Sequence, residues 1–136
     1  MRPCLADLYA NPSSMHREGQ RARAAVERAR EQVAALVHAR PDEVVFTSGG
    51  TEGDHLAMLG AAWARRADGQ RIVISTVEHH AVHGAAEVLA DQGWTVDHLP
   101  VVDAGFVNPA DFLPSPGTVL VSIMLANNET GVLQPV

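Results

Sequence analysis

The stretch RIVISTVEHHAVHGAAEVLADQG, residues 71–93, contains the pattern that decides the fold. Its first five residues, 71–75, are rich in β-branched side chains, which is typical of a short buried strand. Over residues 79–91 the apolar side chains recur at helical spacing, and Gly93 stands where a helix often ends in a left-handed residue. The stretch therefore predicts a strand followed directly by a helix.

The same alternation of strands and helices extends on both sides of this unit. Short apolar runs predict further strands, and apolar residues at helical spacing predict further helices. Strands separated by helices imply a mainly parallel sheet, so the predicted fold class is α/β, a mainly parallel sheet flanked by helices. The further strands are expected at 43–47, 94–102 and 118–123, and the further helices at 17–38, 52–66 and 108–112.

Two of these elements carry an expectation about burial. The strand at 118–123 is apolar enough to be buried on both faces, as central strands of parallel sheets are. The helix at 52–66 is expected to face inward through Leu56, Leu59, Gly60 and Trp63.

Three polar segments, at 47–54, 78–82 and 127–131, each follow a predicted strand. Ligands in open α/β sheets bind at the carboxyl ends of strands, so we expect the three segments to meet in one crevice. The first places two glycines and several hydroxyl groups at a helix start, where free N–H groups can hold a phosphate, with Ser48 or Thr51 as hydroxyl donors. An alternative is a capping box formed by Thr51 and Asp54.

The second segment places adjacent histidines, His79 and His80, just after a strand. An imidazole at that position can stack on a flat cofactor and exchange a proton near neutral pH, although many histidines at helix starts do neither. Glu78 and His83 would complete a set of metal ligands. Adjacent histidines at a helix start do not share a face, however, and the spacing differs from that of metalloprotease helices, so no metal is expected.

The third segment supplies two side-chain amides, Asn127 and Asn128. Amides at a strand end could bind a carboxylate or a ring hydroxyl. An ordinary asparagine–glycine loop is the alternative. Each of the three segments alone is weak evidence of a binding site. Their common position at the ends of predicted strands makes the evidence stronger.

Composition narrows the classes of function. The chain has 136 residues, a net charge of -6 and a single cysteine, Cys4. The negative charge argues against a nucleic-acid partner, and one cysteine cannot form an internal disulfide. There is no run of 18 uncharged apolar residues and no secretory signal, so neither a membrane span nor export is expected. We therefore expect a cytoplasmic protein.

Four segments together resemble the cysteine desulfurase branch of the class V aminotransferases. They are YANPSSMHREG at 9–19, FTSGGTE at 46–52, EHHAV at 78–82 and VSIMLANNE at 121–129. The resemblance implies an incomplete part of the large domain of a fold-type I pyridoxal-phosphate enzyme. Enzymes of this branch take sulfur from L-cysteine, leaving alanine. They pass it as an enzyme-bound persulfide to sulfur-acceptor proteins for iron–sulfur cluster or thio-cofactor assembly.

The resemblance also implies roles for individual residues. Gly50 and Thr51 would hold the phosphate of pyridoxal 5′-phosphate. His79 would stack on the pyridine ring and act as a catalytic acid–base group. Asn128 would lie near the cofactor and the substrate carboxylate. One departure from the family, Leu125 where many relatives carry histidine, would make the entrance to the site less polar.

Several parts of the family's pattern have no match within residues 1–136. These are an extended N-terminal segment, the Schiff-base lysine region with its aspartate, a loop bearing the sulfur-accepting cysteine, and a small C-terminal domain. All ten basic residues here are arginine, and Cys4 does not match the family's cysteine. Residues 1–136 are therefore interpreted as a partial pyridoxal-phosphate-binding large domain that is inactive by itself.

Three explanations of such a chain stay open. It could be the N-terminal part of a cysteine desulfurase that is a homodimer when full length. It could be a fragment of a related class V lyase or aminotransferase. It could also be a non-catalytic remnant or partner protein that pairs with a full-length desulfurase. We favour the first.

Overall fold

A computed structural model describes residues 5–7, 9–113 and 115–136, and the interpretation of Cys4 lies outside these residues. The chain divides into two compact units, Met1–Phe46 and Thr47–Val136. All three polar segments belong to the second unit. Within the described residues, no helix is long and apolar enough to cross a membrane.

The first unit is built around helix α1, Arg17–Leu36. The ring of His16 caps this helix, because its Nδ1 accepts a hydrogen bond from the N–H of Gly19 at 3.2 Å. Gly19 is buried, and a Cβ at this position would lie only 2.8 Å from the carbonyl oxygen of Asn11. The helix predicted over 17–38 is therefore confirmed, with an end two residues earlier.

The strand predicted over 43–47 is wrong. Pro41–Glu43 forms a short 3₁₀ helix, and the residues that follow it pair with no strand in the described part of the chain. The guanidinium of Arg30 donates a hydrogen bond to the carbonyl of Val44 and lies 5.0 Å from the centre of the Phe46 ring. Apolar and β-branched composition favours extended backbone, but a strand also needs a partner, and here a helix side chain takes that place.

The second unit contains a three-stranded parallel sheet. Its strands are β1, Arg71–Ser75, β2, Thr95–Leu99, and β3, Thr118–Ser122, in the order β2-β1-β3. The predicted α/β class with a parallel sheet is therefore confirmed. β2 is shorter than expected and ends before Pro100, which has no N–H to donate to a ladder.

Helices α2, Gly50–Ala64, and α3, His80–Asp91, accompany the sheet. Alternate residues of β1 point to opposite faces, so two cores form. On one face, Ile72 and Ile74 pack with residues of both helices and with Trp94. On the other, Val73 packs with Leu99 and Val107. Gly93 follows α3 with a φ of 89°, as its position at the helix end predicted.

The buried face of α2 differs from the prediction. Met58 and Ala62 are buried and Leu59 is partly buried, whereas Leu56, Gly60 and Trp63 are exposed. Apolar residues occur around most of this helix, so two different sets at helical spacing can be drawn on it. The sequence alone does not decide which of them packs against α3 and the sheet.

The expected burial of β3 on both faces is also wrong. Its residues are half-buried, and Val121 is 39% exposed. In the described part of the chain β3 pairs only with β1, which leaves its other edge without a strand. The apolar composition of a strand shows that its side chains can be buried. Whether they are buried depends on the elements that surround the strand.

Candidate functional site

A cleft of about 490 Å³ lies beyond the carboxyl ends of β1 and β3. Residues 76–80, which follow β1, form one wall together with His83, and residues 127–130, which follow β3, form the other. The second and third polar segments therefore lie together, as their strand-end positions predicted. No residue of the first segment lines this cleft, so the structure brings together two of the three segments that were expected to meet there.

His79 is fixed in the cleft as the cap of α3. Its Nδ1 accepts a hydrogen bond from the N–H of Ala81 at 3.2 Å. A neutral ring held in this way carries its proton on Nε2. The ring of His80 packs against it with the two centroids 3.9 Å apart. His79 thus combines a defined donor atom with a flat surface, the two features that ring stacking and proton exchange require.

The two asparagines of the third segment have different environments. The Oδ1 of Asn127 accepts hydrogen bonds from the N–H groups of Glu129 and Thr130 at 3.0 and 2.8 Å, and its Nδ2 donates to the carbonyl of Val77 at 3.1 Å. Asn128 is exposed in the cleft, and its side chain bonds to no described residue. Asn127 therefore shapes the loop, while the amide of Asn128 is available to a ligand.

Glu78 makes more contacts in the site than the sequence indicates. Its carboxylate accepts hydrogen bonds from the hydroxyl of Ser75, the backbone N–H of Met124 and the hydroxyl of Ser122. The sequence pattern indicates Glu78 only as one of several candidate metal ligands. Its partners in β3 and beyond lie more than 40 positions away in the sequence, so no local pattern could have indicated them. Within the described ranges, no three His, Cys, Asp or Glu residues are grouped so as to hold a metal ion.

The first polar segment forms the start of α2. The N–H and the Oγ of Ser48 both donate to Glu52 at 2.6 Å. These hydrogen bonds, that of the hydroxyl first, lower the pKa of Glu52 below its ordinary value. The local contact thus joins Ser48 to Glu52 instead of Thr51 to Asp54, and the Ser48 hydroxyl is already engaged.

The helix start nevertheless has features that fit a phosphate. The N–H groups of the first turn of a helix have no carbonyl of their own helix to bind, and the positive end of the helix dipole adds to their attraction for anions. A Cβ built on Gly49 or Gly50 would meet no atom within 4 Å, so there is open space beside this turn. The hydroxyl of Thr51, in the same turn, bonds to no described residue. The donor set and the space both suit a phosphate group.

Comparison with known proteins identifies the family. The aminotransferase class-V family matches residues 1–136. The cysteine desulfurase IscS of Dictyoglomus turgidum (strain DSM 6724 / Z-1310) is 44% identical over 138 residues, covering 100% of this chain and 35% of that protein. The chain therefore spans about a third of the length of the curated relatives it matches.

Solved structures of related proteins have the same fold as this chain. A NifS-like protein superposes with a TM-score of 0.91 at 34% identity, covering 98% of this chain and 37% of that one. SspA in complex with cysteine gives a TM-score of 0.88 at 34% identity, covering 98% of this chain and 39% of that one. The chain belongs to the class V aminotransferases, in the branch that contains the cysteine desulfurases. Its sheet and helices match part of a fold-type I enzyme.

Proposed function

We propose that this chain is the N-terminal part of a pyridoxal-phosphate-dependent cysteine desulfurase. One observation carries the proposal: His79 and Asn128, which come from different strand ends, line the same cleft. The similarity to cysteine desulfurases over the whole chain supports it. The proposed setting is cytoplasmic, with L-cysteine as substrate, a protein as sulfur acceptor and a homodimer as the full-length form.

Each proposed site residue has a separate task. Gly50 and Thr51 bind the cofactor phosphate through first-turn N–H groups and the Thr51 hydroxyl. His79 packs against the pyridine ring and holds a proton at Nε2. Asn128 donates its amide to the carboxylate of the substrate.

The chemistry itself belongs to the cofactor. Pyridoxal phosphate, when bound, withdraws electrons from the bonds of an attached amino acid. Residues 1–136 contain no lysine to attach it. We therefore propose that this chain alone releases sulfide from cysteine no faster than free pyridoxal phosphate does. A faster release by the purified chain would contradict this part of the proposal.

Binding at the proposed site can be tested without catalysis. Pyridoxamine 5′-phosphate, which has no aldehyde to react with the amino terminus, is titrated into the ¹⁵N-labelled chain while NMR signals are followed. We expect the amides of Gly50 and Thr51 and the ring nitrogens of His79 to shift. Pyridoxamine without the phosphate should have little effect on them.

A pair of variants assigns the phosphate contact. Thr51→Val removes one hydroxyl donor and should weaken binding by about tenfold or more, the effect of losing one hydrogen bond to a charged group. Thr95→Val makes the same change at an exposed position of β2 and should leave the affinity unaltered. Equal affinities for the two variants, or equal shifts with pyridoxamine, would contradict the proposed phosphate site.

A further inference from the structure

The carboxylate of Glu78 joins the ends of two strands. Its Oε1 accepts hydrogen bonds from the buried hydroxyl of Ser75, the last residue of β1, at 2.8 Å and from the N–H of Met124 at 2.6 Å. Its Oε2 accepts one from the hydroxyl of Ser122, the last residue of β3, at 3.3 Å. One partly buried side chain thus holds β1 to the segment that leads out of β3.

A second bridge runs between the same two segments. The Nδ2 of Asn127 donates to the carbonyl of Val77 at 3.1 Å. Two side-chain bridges therefore join the two sides of the cleft. One starts from Glu78 and the other from Asn127. His79 follows Glu78 directly, and Asn128 follows Asn127 directly, so each bridging residue is the chain neighbour of a proposed site residue.

We propose that Glu78 is a positioning residue, whose carboxylate sets the separation between His79 and Asn128 across the cleft. The role of Glu78 in ligand binding rests on the function proposed above, whereas its effect on the two segments does not. An ionised carboxylate suits this place because it is purely an acceptor and its three partners are donors. Of these donors the N–H of Met124 cannot rotate to become an acceptor, whereas the two hydroxyl groups can.

This difference between the donors predicts how strongly each substitution at Glu78 weakens the bridge. Glu78→Ala removes the bridge. Glu78→Gln can keep most of it, since its amide oxygen accepts from Met124 and Ser75 while its NH₂ group donates to the Ser122 oxygen. Glu87→Ala is the matched control, because it removes an exposed carboxylate of α3 that lies outside the cleft and makes no side-chain hydrogen bond to the described residues.

The first measurement uses the full chain without ligand. In Glu78→Ala we expect the Met124 amide to exchange with solvent at least about tenfold faster, as a lost hydrogen bond implies, and cross-cleft NOEs between residues 77–79 and 124–128 to weaken. Glu78→Gln and Glu87→Ala should keep the slow exchange and the NOEs. If Glu78→Ala does not fold, Glu78→Asp, one methylene shorter, replaces it with the same expected result. Unchanged exchange and NOEs in the disrupted variant would overturn the proposal.

The second measurement is the affinity for pyridoxamine 5′-phosphate. We expect Glu78→Ala to lower it by about tenfold, and Glu78→Gln and Glu87→Ala to stay within about threefold of the parent. A folded Glu78→Ala chain with parental affinity would overturn the role in binding. If the parent chain binds no ligand while Glu78→Ala still separates the segments, the proposed function fails and the positioning of the two segments stands.

Discussion

The side-chain oxygen of Gln134 accepts a hydrogen bond from the buried backbone N–H of Val107 at 2.8 Å. The amide nitrogen of the same side chain donates to the carbonyl of Gly105 at 3.1 Å, and the backbone N–H of Gln134 donates to the carbonyl of Leu125 at 2.8 Å. Gln134 is only 4% exposed. One buried glutamine therefore satisfies the backbone of a loop that belongs to no strand or helix.

Replacing Gln134 by Leu should destabilise the chain by about 2–3 kcal/mol, because the N–H of Val107 would stay buried without an acceptor. Urea unfolding at neutral pH measures the difference. Gln92→Leu is the control, since Gln92 is exposed at the end of α3, and it should change the free energy of unfolding by less than about 0.5 kcal/mol. Similar values for the two variants would show that the Gln134 contacts contribute nothing.

Two glycine-to-alanine substitutions should act in opposite directions. A Cβ at Gly69 would overlap the carbonyl oxygen of Gly117 and lie 2.5 Å from its Cα, and neither backbone atom can move aside easily. We expect Gly69→Ala to cost roughly 3 kcal/mol or more. Gly60 lies in α2 with open space around it, so Gly60→Ala should stabilise by about 0.5–1 kcal/mol. Thermal unfolding of both variants measures the two effects. A Gly69→Ala chain as stable as the parent would contradict the close approach of Gly69 to the backbone of Gly117.

The elements that sequence predicted well are those whose signals are local. β1 is a five-residue β-branched run, and α3 combines helical spacing with Gly93 at its end. Both therefore occur almost where expected. The failures at 43–47 and on the buried face of α2 have another origin: pairing and packing depend on distant parts of the chain, which a local pattern does not contain.

The candidate site shows the same division. That His79 and Asn128 would line one cleft followed from the rule that parallel strands end at the same edge of a sheet. The bridge formed by Glu78 could not be predicted from this rule, because its partner Met124 is 46 positions away in the sequence. Buried polar side chains such as Gln134 are equally hard to foresee, since the sequence gives their donors and acceptors but not the groups that they meet.

Thr118 offers a substitution that should stabilise the chain. Its Oγ1 is buried and has no hydrogen-bond partner among the described residues. Valine has the same shape without the hydroxyl, so Thr118→Val should raise the free energy of unfolding by about 1 kcal/mol. The exposed Thr95, which also begins a strand, provides the control, and Thr95→Val should have a much smaller effect. A destabilised Thr118→Val chain, measured by urea unfolding, would mean that the hydroxyl does have a partner.

The contact between Ser48 and Glu52 makes stability depend on pH. Because the pKa of Glu52 is lowered in the folded chain, its contribution is complete above the ordinary glutamate pKa of about 4.3. It is lost as the pH falls through the lowered value. Glu52→Gln should therefore reduce stability at neutral pH, and its difference from the parent should shrink on acidification.

The cause of this pKa shift can be tested directly by titrating the ¹³C signal of the Glu52 carboxyl group. Ser48→Ala removes the hydroxyl donor, which is the largest cause of the lowered pKa, but keeps the backbone N–H. We expect the pKa of Glu52 to rise toward its ordinary value in this variant, because the charged form loses a hydrogen bond that the protonated form uses less. Ser115→Ala, at an exposed position, should leave the titration unchanged. If Ser48→Ala titrates like the parent, the hydroxyl is not the cause, and the backbone N–H of Ser48, which this variant keeps, would account for the lowered pKa.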